Sequence, residues 1–269
     1  IAGLCETHLR DLYGAIFAYR QIFQLDRSDE MARDQLRRLL ERASRWDELA
    51  ALLEQEATGA PDIETRVLLE KRLAQVHETK RQDVVAAGEA WARIARLLPG
   101  DESAIQTAVD FFQRGGRFDL AAEVIAESAS AVEDEATRAW LFERLGKLRE
   151  KSGDLAGAGD AYVAAARLRP SVGAWQVAEA SFVGAERWED AAQVASELAN
   201  LSEGSERAEV LAREGEHWLR AGRSDAAVAA FERALEADPA HETSAKKLEE
   251  LYDAEGRTQD LVQSLLQRA

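Results

Sequence analysis

The stretch Glu206–Pro239, reading ERAEVLAREGEHWLRAGRSDAAVAAFERALEADP, decides the fold. Leu211, Gly215 and Trp218 recur at i, i+4 and i+7, which puts them on one face of a helix. Ala221-Gly222-Arg223-Ser224 interrupts that helix, and Ser224 is placed to cap a second one. In the second helix Ala227, Phe231 and Ala234 share the inward face. Asp238-Pro239 ends it, because a proline ring cannot continue a helix. The stretch is a pair of amphipathic helices joined by a short turn.

The same pattern recurs along the chain. Ala158, Tyr162, Ala165 and Pro170 repeat the steps of Ala227, Phe231, Ala234 and Pro239, as do Ala87, Trp91, Ile94 and Pro99. The prolines are 71 and 69 residues apart. Near the start Ala15, Tyr19 and Ile22 follow the same steps, with Arg27 in the proline's place. A second series alternates with the first: Arg45-Trp46-Asp47, Arg117-Phe118-Asp119, Arg187-Trp188-Glu189 and a degraded Arg257-Thr258-Gln259. The chain therefore has a double period near 70 residues, made of two unlike halves near 35. No window shows sustained period-2 alternation, so no strand is predicted.

A helix pair of about 34 residues with these small and aromatic positions resembles the tetratricopeptide repeat. Residues 208–239 match it at Leu211, Gly215, Trp218, Ala227, Phe231, Ala234 and Pro239. Residues 139–170 match at Phe142, Leu145, Gly146, Ala158, Tyr162, Ala165 and Pro170, with Arg149 in place of the first-helix aromatic. The second series departs further, lacking the terminal proline and carrying Leu49, Leu53, Leu261 and Leu265 at small or aromatic sites. The resemblance implies an all-α, right-handed superhelical solenoid of antiparallel helix pairs in about eight units, forming one domain over 1–269. The unit boundaries read 1–28 (truncated), 29–60, 62–100, 101–133, 134–170, 171–203, 204–240 and 241–269. Gly146, Gly215, Ala108 and Ala178 are expected to let helices approach closely, with the aromatic of each second helix filling the gap to the next unit. One hairpin cannot bury its apolar face alone, so stability is expected from neighbour contacts.

Composition narrows the functional classes. Thirty-four basic and 50 acidic residues give a net charge of −16 over 269 residues, which argues against a nucleic-acid binder. A single cysteine, Cys5, excludes an internal disulfide, and no apolar run approaches the ~18 residues of a membrane span. The chain starts at Ile1 in mid-pattern, so it reads as a piece of a larger, bacterial-type repeat protein. Its final helix, with Leu261, Val262, Leu265 and Leu266, is apolar on more than one side, which points to further repeats or another chain packed end to end. The compartment reads as cytoplasmic, with the periplasm left open.

The catalytic search yields nothing. His77-Glu78 and His241-Glu242 lack the second histidine of a zinc-protease signature, and His8, His77, His217 and His241 read as structural. Gly153, Gly157 and Gly159 lack the spacing and the preceding strand of a phosphate loop. Asp101-Glu102 and Glu133-Asp134 sit where they favour the positive end of a helix. No enzyme activity, cofactor or metal is predicted.

What remains is a non-catalytic scaffold for protein–protein interaction. The alternatives are a rod segment of a larger assembly and a regulatory arm of an enzyme whose catalytic domain lies elsewhere. The resemblance implies that first helices line a concave groove that takes a partner peptide or helix. Its mapped positions carry eight basic residues (Arg38, Lys71, Arg72, Arg144, Lys147, Arg213, Lys246 and Lys247) and six acidic ones (Asp34, Asp110, Glu143, Glu209, Glu216 and Glu250). That near +2 balance within a −16 chain points to an acidic or C-terminal peptide, with i, i+4 pairing on exposed helices as the plainer reading. The chosen contact residues are Lys71, Arg72, Gln106, Trp140, Arg144, Lys147 and Arg213. Trp140 is either an exposed anchor or a side chain resting on the preceding unit. The other tryptophans, Trp46, Trp91, Trp175, Trp188 and Trp218, are expected inside. The family's two-asparagine carboxylate clamp does not carry over, because Asn200 is the one asparagine in the chain.

Overall fold

The computed structural model describes residues 11–26, 29–259 and 262. The expectations for Cys5, His8, Arg27, Leu261, Leu265 and Leu266 lie outside those residues. Every described element is helical. In chain order they are α1 (Leu12–Leu25), α2 (Glu30–Arg42), α3 (Trp46–Thr58), α4 (Ile63–Val76), α5 (Val84–Leu97), α6 (Glu102–Arg114) and α7 (Phe118–Ala131). They continue with α8 (Glu135–Ser152), α9 (Leu155–Leu168), α10 (Val172–Gly184), α11 (Trp188–Ala199), α12 (Gly204–Arg220), α13 (Ser224–Ala237) and α14 (Glu242–Ala254). A π-helical turn, His77–Arg81, extends α4. The chain divides into two compact units, with the boundary in the sequence between Val124 and Ile125.

Caps and turns explain where these helices begin and end. Asp29, Asp62, Asp83, Asp101, Asp134 and Asp154 each accept a hydrogen bond from the backbone N–H three residues on, satisfying a donor that the helix leaves open. Inside every described pair but α4–α5, where Gln82 is the left-handed residue and the Asp83 N–H donates to His77 six residues back, the turn is the same. A residue in the left-handed region (Ser44, Gly116, Gly153, Glu186, Gly222 or Gly256) follows the first helix. The next N–H then donates to a carbonyl five residues back, as in Arg45 to Leu40, Arg187 to Phe182 and Arg223 to Trp218. Ser224 is the first residue of α13 and not its cap. Arg223 holds the cap position and makes no side-chain bond there.

Packing follows the small-and-aromatic pattern, with one correction. Tyr162 and Phe231 lie over the glycine of their own pair's first helix. A Cβ on Gly146 would come within 2.5 Å of the Tyr162 ring, and one on Gly215 within 2.7 Å of Phe231. The rings that meet a preceding pair belong instead to first helices: Phe112 lies against Gly88 and Phe182 against Gly159. In the first unit the core gathers Ile16, Leu36, Leu39, Leu40, Leu49, Leu53 and Leu73. In the second, Tyr162, Trp175, Phe182, Leu198 and Leu211 form one cluster, and Val228, Phe231, Leu248 and Tyr252 another. Ala227, Phe231 and Ala234 are fully buried, as their spacing requires. Among the tryptophans expected inside, Trp175 is buried, whereas Trp46, Trp91, Trp188 and Trp218 are half-buried. Three of these carry a cation on a ring face: Lys80 over Trp46, Lys71 over Trp91 and Arg220 over Trp188.

Candidate protein-interaction surface

The sequence-selected residues separate into two groups. Lys71, Arg72 and Gln106 belong to the first unit, and Trp140, Arg144, Lys147 and Arg213 to the second. Two of the cations are already engaged. Arg72 donates to Glu41 at 2.6 Å. Arg213 grips Glu179 through Nε and Nη2 at 3.1 and 3.2 Å. Lys246 and Lys247 pair with Glu242 and Glu250 on their own helix. Gln106 donates to Asp110 one turn on. Counting charges face by face missed the pairs made by Arg72, Arg213 and Lys246, because Glu41, Glu179 and Glu242 lie outside the mapped positions. The signal was present as spacing: the acid precedes its base by 31 residues in Glu41–Arg72 and by 34 in Glu179–Arg213. Asp47–Arg81 and Glu189–Arg223 also span 34 residues.

The α8 residues are less constrained. The Arg144 guanidinium lies 4.9 Å from the centre of the half-buried Trp140 ring, one helical turn away. Its Nε is buried without a hydrogen-bond partner. Lys147 is exposed next along the same face. Lys71 is exposed too, 5.8 Å above the Trp91 ring.

Four glutamates among the described residues are buried, and each faces an arginine. Burial pushes Glu179 up, but hydrogen bonds from His217 and Arg213 outweigh it and hold its carboxyl below the ordinary value. Burial also pushes Glu214 up, and here Arg233, Trp218 and Ser196 do not offset it, so it stays raised. Burial raises Glu56 as well, against the nearby Arg37 at 3.3 Å. Glu70 accepts from Arg93 Nε with both oxygens, at 2.9 and 3.0 Å. His77 is lowered, first by burial and then by repulsion from Arg81. Among the described residues no three His, Cys, Asp or Glu gather as metal ligands, and no helix is long and apolar enough to cross a membrane.

Sequence reasoning missed the face made by second helices. A cleft of about 500 Å³ opens between α9 and α11, floored by Trp175 and Phe182 of α10 and closed at one end by Glu214 and Trp218 of α12. Smaller clefts recur in the first unit, about 470 Å³ between α1 and α3 and about 270 Å³ between α5 and α7. Their linings keep the repeat register: Glu89, Arg96 and Phe112 in one stand where Asp160, Arg167 and Phe182 stand in the other.

No curated protein matches this sequence. Solved structures resemble it distantly. The crystal structure of MamA is 17% identical over 59% of this chain and 91% of that one, with a TM-score of 0.36. YrrB, described as a TPR protein with an unusual peptide-binding site, is 15% identical over 68% of this chain and 92% of its own, at 0.34. The C-terminal part of a TPR repeat-containing protein from Cytophaga hutchinsonii is 14% identical over 92% and 98%, also at 0.34. Likenesses at these scores assign no role to any residue here. The family model described as tetratricopeptide repeat matches residues 219–241. That match covers the turn and second helix of the α12–α13 pair, the stretch whose small-and-aromatic pattern recurs along both units, so over that helix pair the chain is similar to the tetratricopeptide repeat.

Proposed function

We propose that this chain is a protein-interaction scaffold, and that an acidic segment of a partner protein docks on α8 at Trp140, Arg144 and Lys147. One observation carries the reading: the guanidinium stacked on Trp140 keeps a buried Nε without a partner, beside an exposed lysine. An aromatic plane flanked by two cations offers apolar contact and charge to a carboxylate-bearing chain at the same place. Lys71 on Trp91 offers the first unit a similar though smaller contact, and Gln106 of the same unit is a further polar contact in this reading. Arg72 and Arg213 act in support, holding Glu41 and Glu179, and are not free ends awaiting a ligand. The test is calorimetric titration of the whole chain with a glutamate-rich peptide. The double variant Arg144→Glu/Lys147→Glu is expected to bind at least tenfold more weakly with an unchanged melting temperature. Equal affinity would overturn the reading.

A further inference from the structure

The α9–α11 cleft lies on second helices, away from the α8 patch, and its chemistry is opposite. Trp175, Phe182 and Trp218 supply an aromatic floor and wall. The charged groups that line it are Asp160, Asp190, Glu197 and Glu214 against a single base, Arg167. Asp160 and Asp190 share Arg187 at the rim, and Glu214 is held by Arg233, whereas the exposed Glu197 has, among the described residues, one side-chain hydrogen bond, from Asn200 at 3.4 Å.

The neighbouring crossings show what kind of group suits such a space. Two residues after the aromatic of the second helix, α5 carries Arg93 and α13 carries Arg233. Arg93 lies across α4 on Glu70. Arg233 lies across α12 on Glu214 and reaches Ser196 of α11 at 3.5 Å. At the matching place on α11, six residues after the first buried small residue, stands Glu197. The chain fills two crossings with its own guanidinium and leaves this one lined by carboxylate and aromatic faces. An apolar-sided, acidic slot favours a planar cation, which stacks on rings and pairs with carboxylates at once.

We propose that the α9–α11 cleft docks an arginine-bearing segment of a partner protein, the arginine lying over Trp175 and Trp218 with its guanidinium toward Glu197. The inference does not depend on the α8 patch, and the two surfaces call for partners of opposite charge.

The test is selection of a random nine-residue peptide library, displayed on phage, on the whole chain. Enriched sequences are expected to carry arginine beside apolar residues. The best of them, as a synthetic peptide, is expected to lose at least tenfold in affinity for Gln193→Arg/Glu197→Arg and to bind Arg144→Glu/Lys147→Glu as it binds the parent. Both substituted positions of the first variant are exposed on α11, so its melting temperature is expected to hold. Replacing the peptide's arginine by neutral citrulline is expected to cost as much. Enrichment of acidic peptides, equal binding to the α11 variant, indifference to citrulline, or no enrichment at all would each overturn the proposal.

Discussion

The α12–α13 crossing and the α9–α11 cleft are built from the same repeat and treat charge in opposite ways. At the crossing Glu214 is buried under an arginine of its own chain. In the cleft the corresponding position holds the exposed Glu197, with the buried Trp175 and Phe182 beneath it and the half-buried Trp218 at one end. The difference turns on one side chain, Arg233 on α13 against Glu197 on α11, at the same step of the second helix.

Breaking the sealed side has the largest effects. Phe231→Ala removes a fully buried ring packed on Gly215 and is expected to cost about 3–5 kcal/mol in chemical denaturation. Arg233→Ala leaves the Glu214 carboxylate buried without its cation. The expected loss at pH 7 is about 2–3 kcal/mol, less than for a fully buried pair because Arg233 is a third exposed. By contrast Arg187→Ala, at the rim of the open cleft, breaks pairs that are more than a third exposed and is expected to cost less than about 1 kcal/mol. If the two arginine variants lose the same stability, the sealed-and-open distinction fails.

Acid sharpens the comparison further. Glu179 titrates below its ordinary value, so it contributes stability above that value which is lost as pH falls through the folded one. Glu214 titrates above its ordinary value, so it costs stability at neutral pH and the cost is relieved as pH falls through the raised value. Carboxyl carbon titration by NMR is expected to place the two on opposite sides of an ordinary glutamate. His217→Ala, which removes a bond at 3.0 Å, is expected to move Glu179 upward and leave Glu214 in place. The smallest effect lies in the turns. Glu186 before α11 adopts φ 56°, where Gly222 serves before α13 at φ 74°. Glu186→Gly is expected to stabilise by about 0.5–1 kcal/mol in thermal melts, because a Cβ strains the left-handed region.

The helix pairs were legible in the sequence because their inward residues recur at fixed steps. Ala227, Phe231 and Ala234 could hardly sit elsewhere. The site was less legible. Trp188 and Trp218 look like core residues by type, yet each keeps part of its ring exposed, one beneath Arg220 and the other against Glu214. Arg72 and Arg213 looked available because helix periodicity shows which face a side chain occupies, not which carboxylate a repeat away it reaches. The π-helical turn at His77–Arg81 left no composition signal, since it inserts residues within a pattern that stays polar.

The ion pair Asp47–Arg81 reappears as Glu189–Arg223, with both ends displaced by the same 142 residues, two double periods along the chain. Such recurrence gives the molecule a unit of exchange. One double period on from Asp47–Arg81, Gly153 stands at the arginine's place and Asp119 pairs with Arg117 instead, so this ion pair returns after eight helices, whereas the ring over glycine at Gly146–Tyr162 returns after four as Gly215–Phe231. A block of two sets unlike halves against each other, with the ion pairs out of step. For anyone lengthening or shortening this protein, one double repeat preserves the ring-and-glycine packing, and two preserve this ion pair as well.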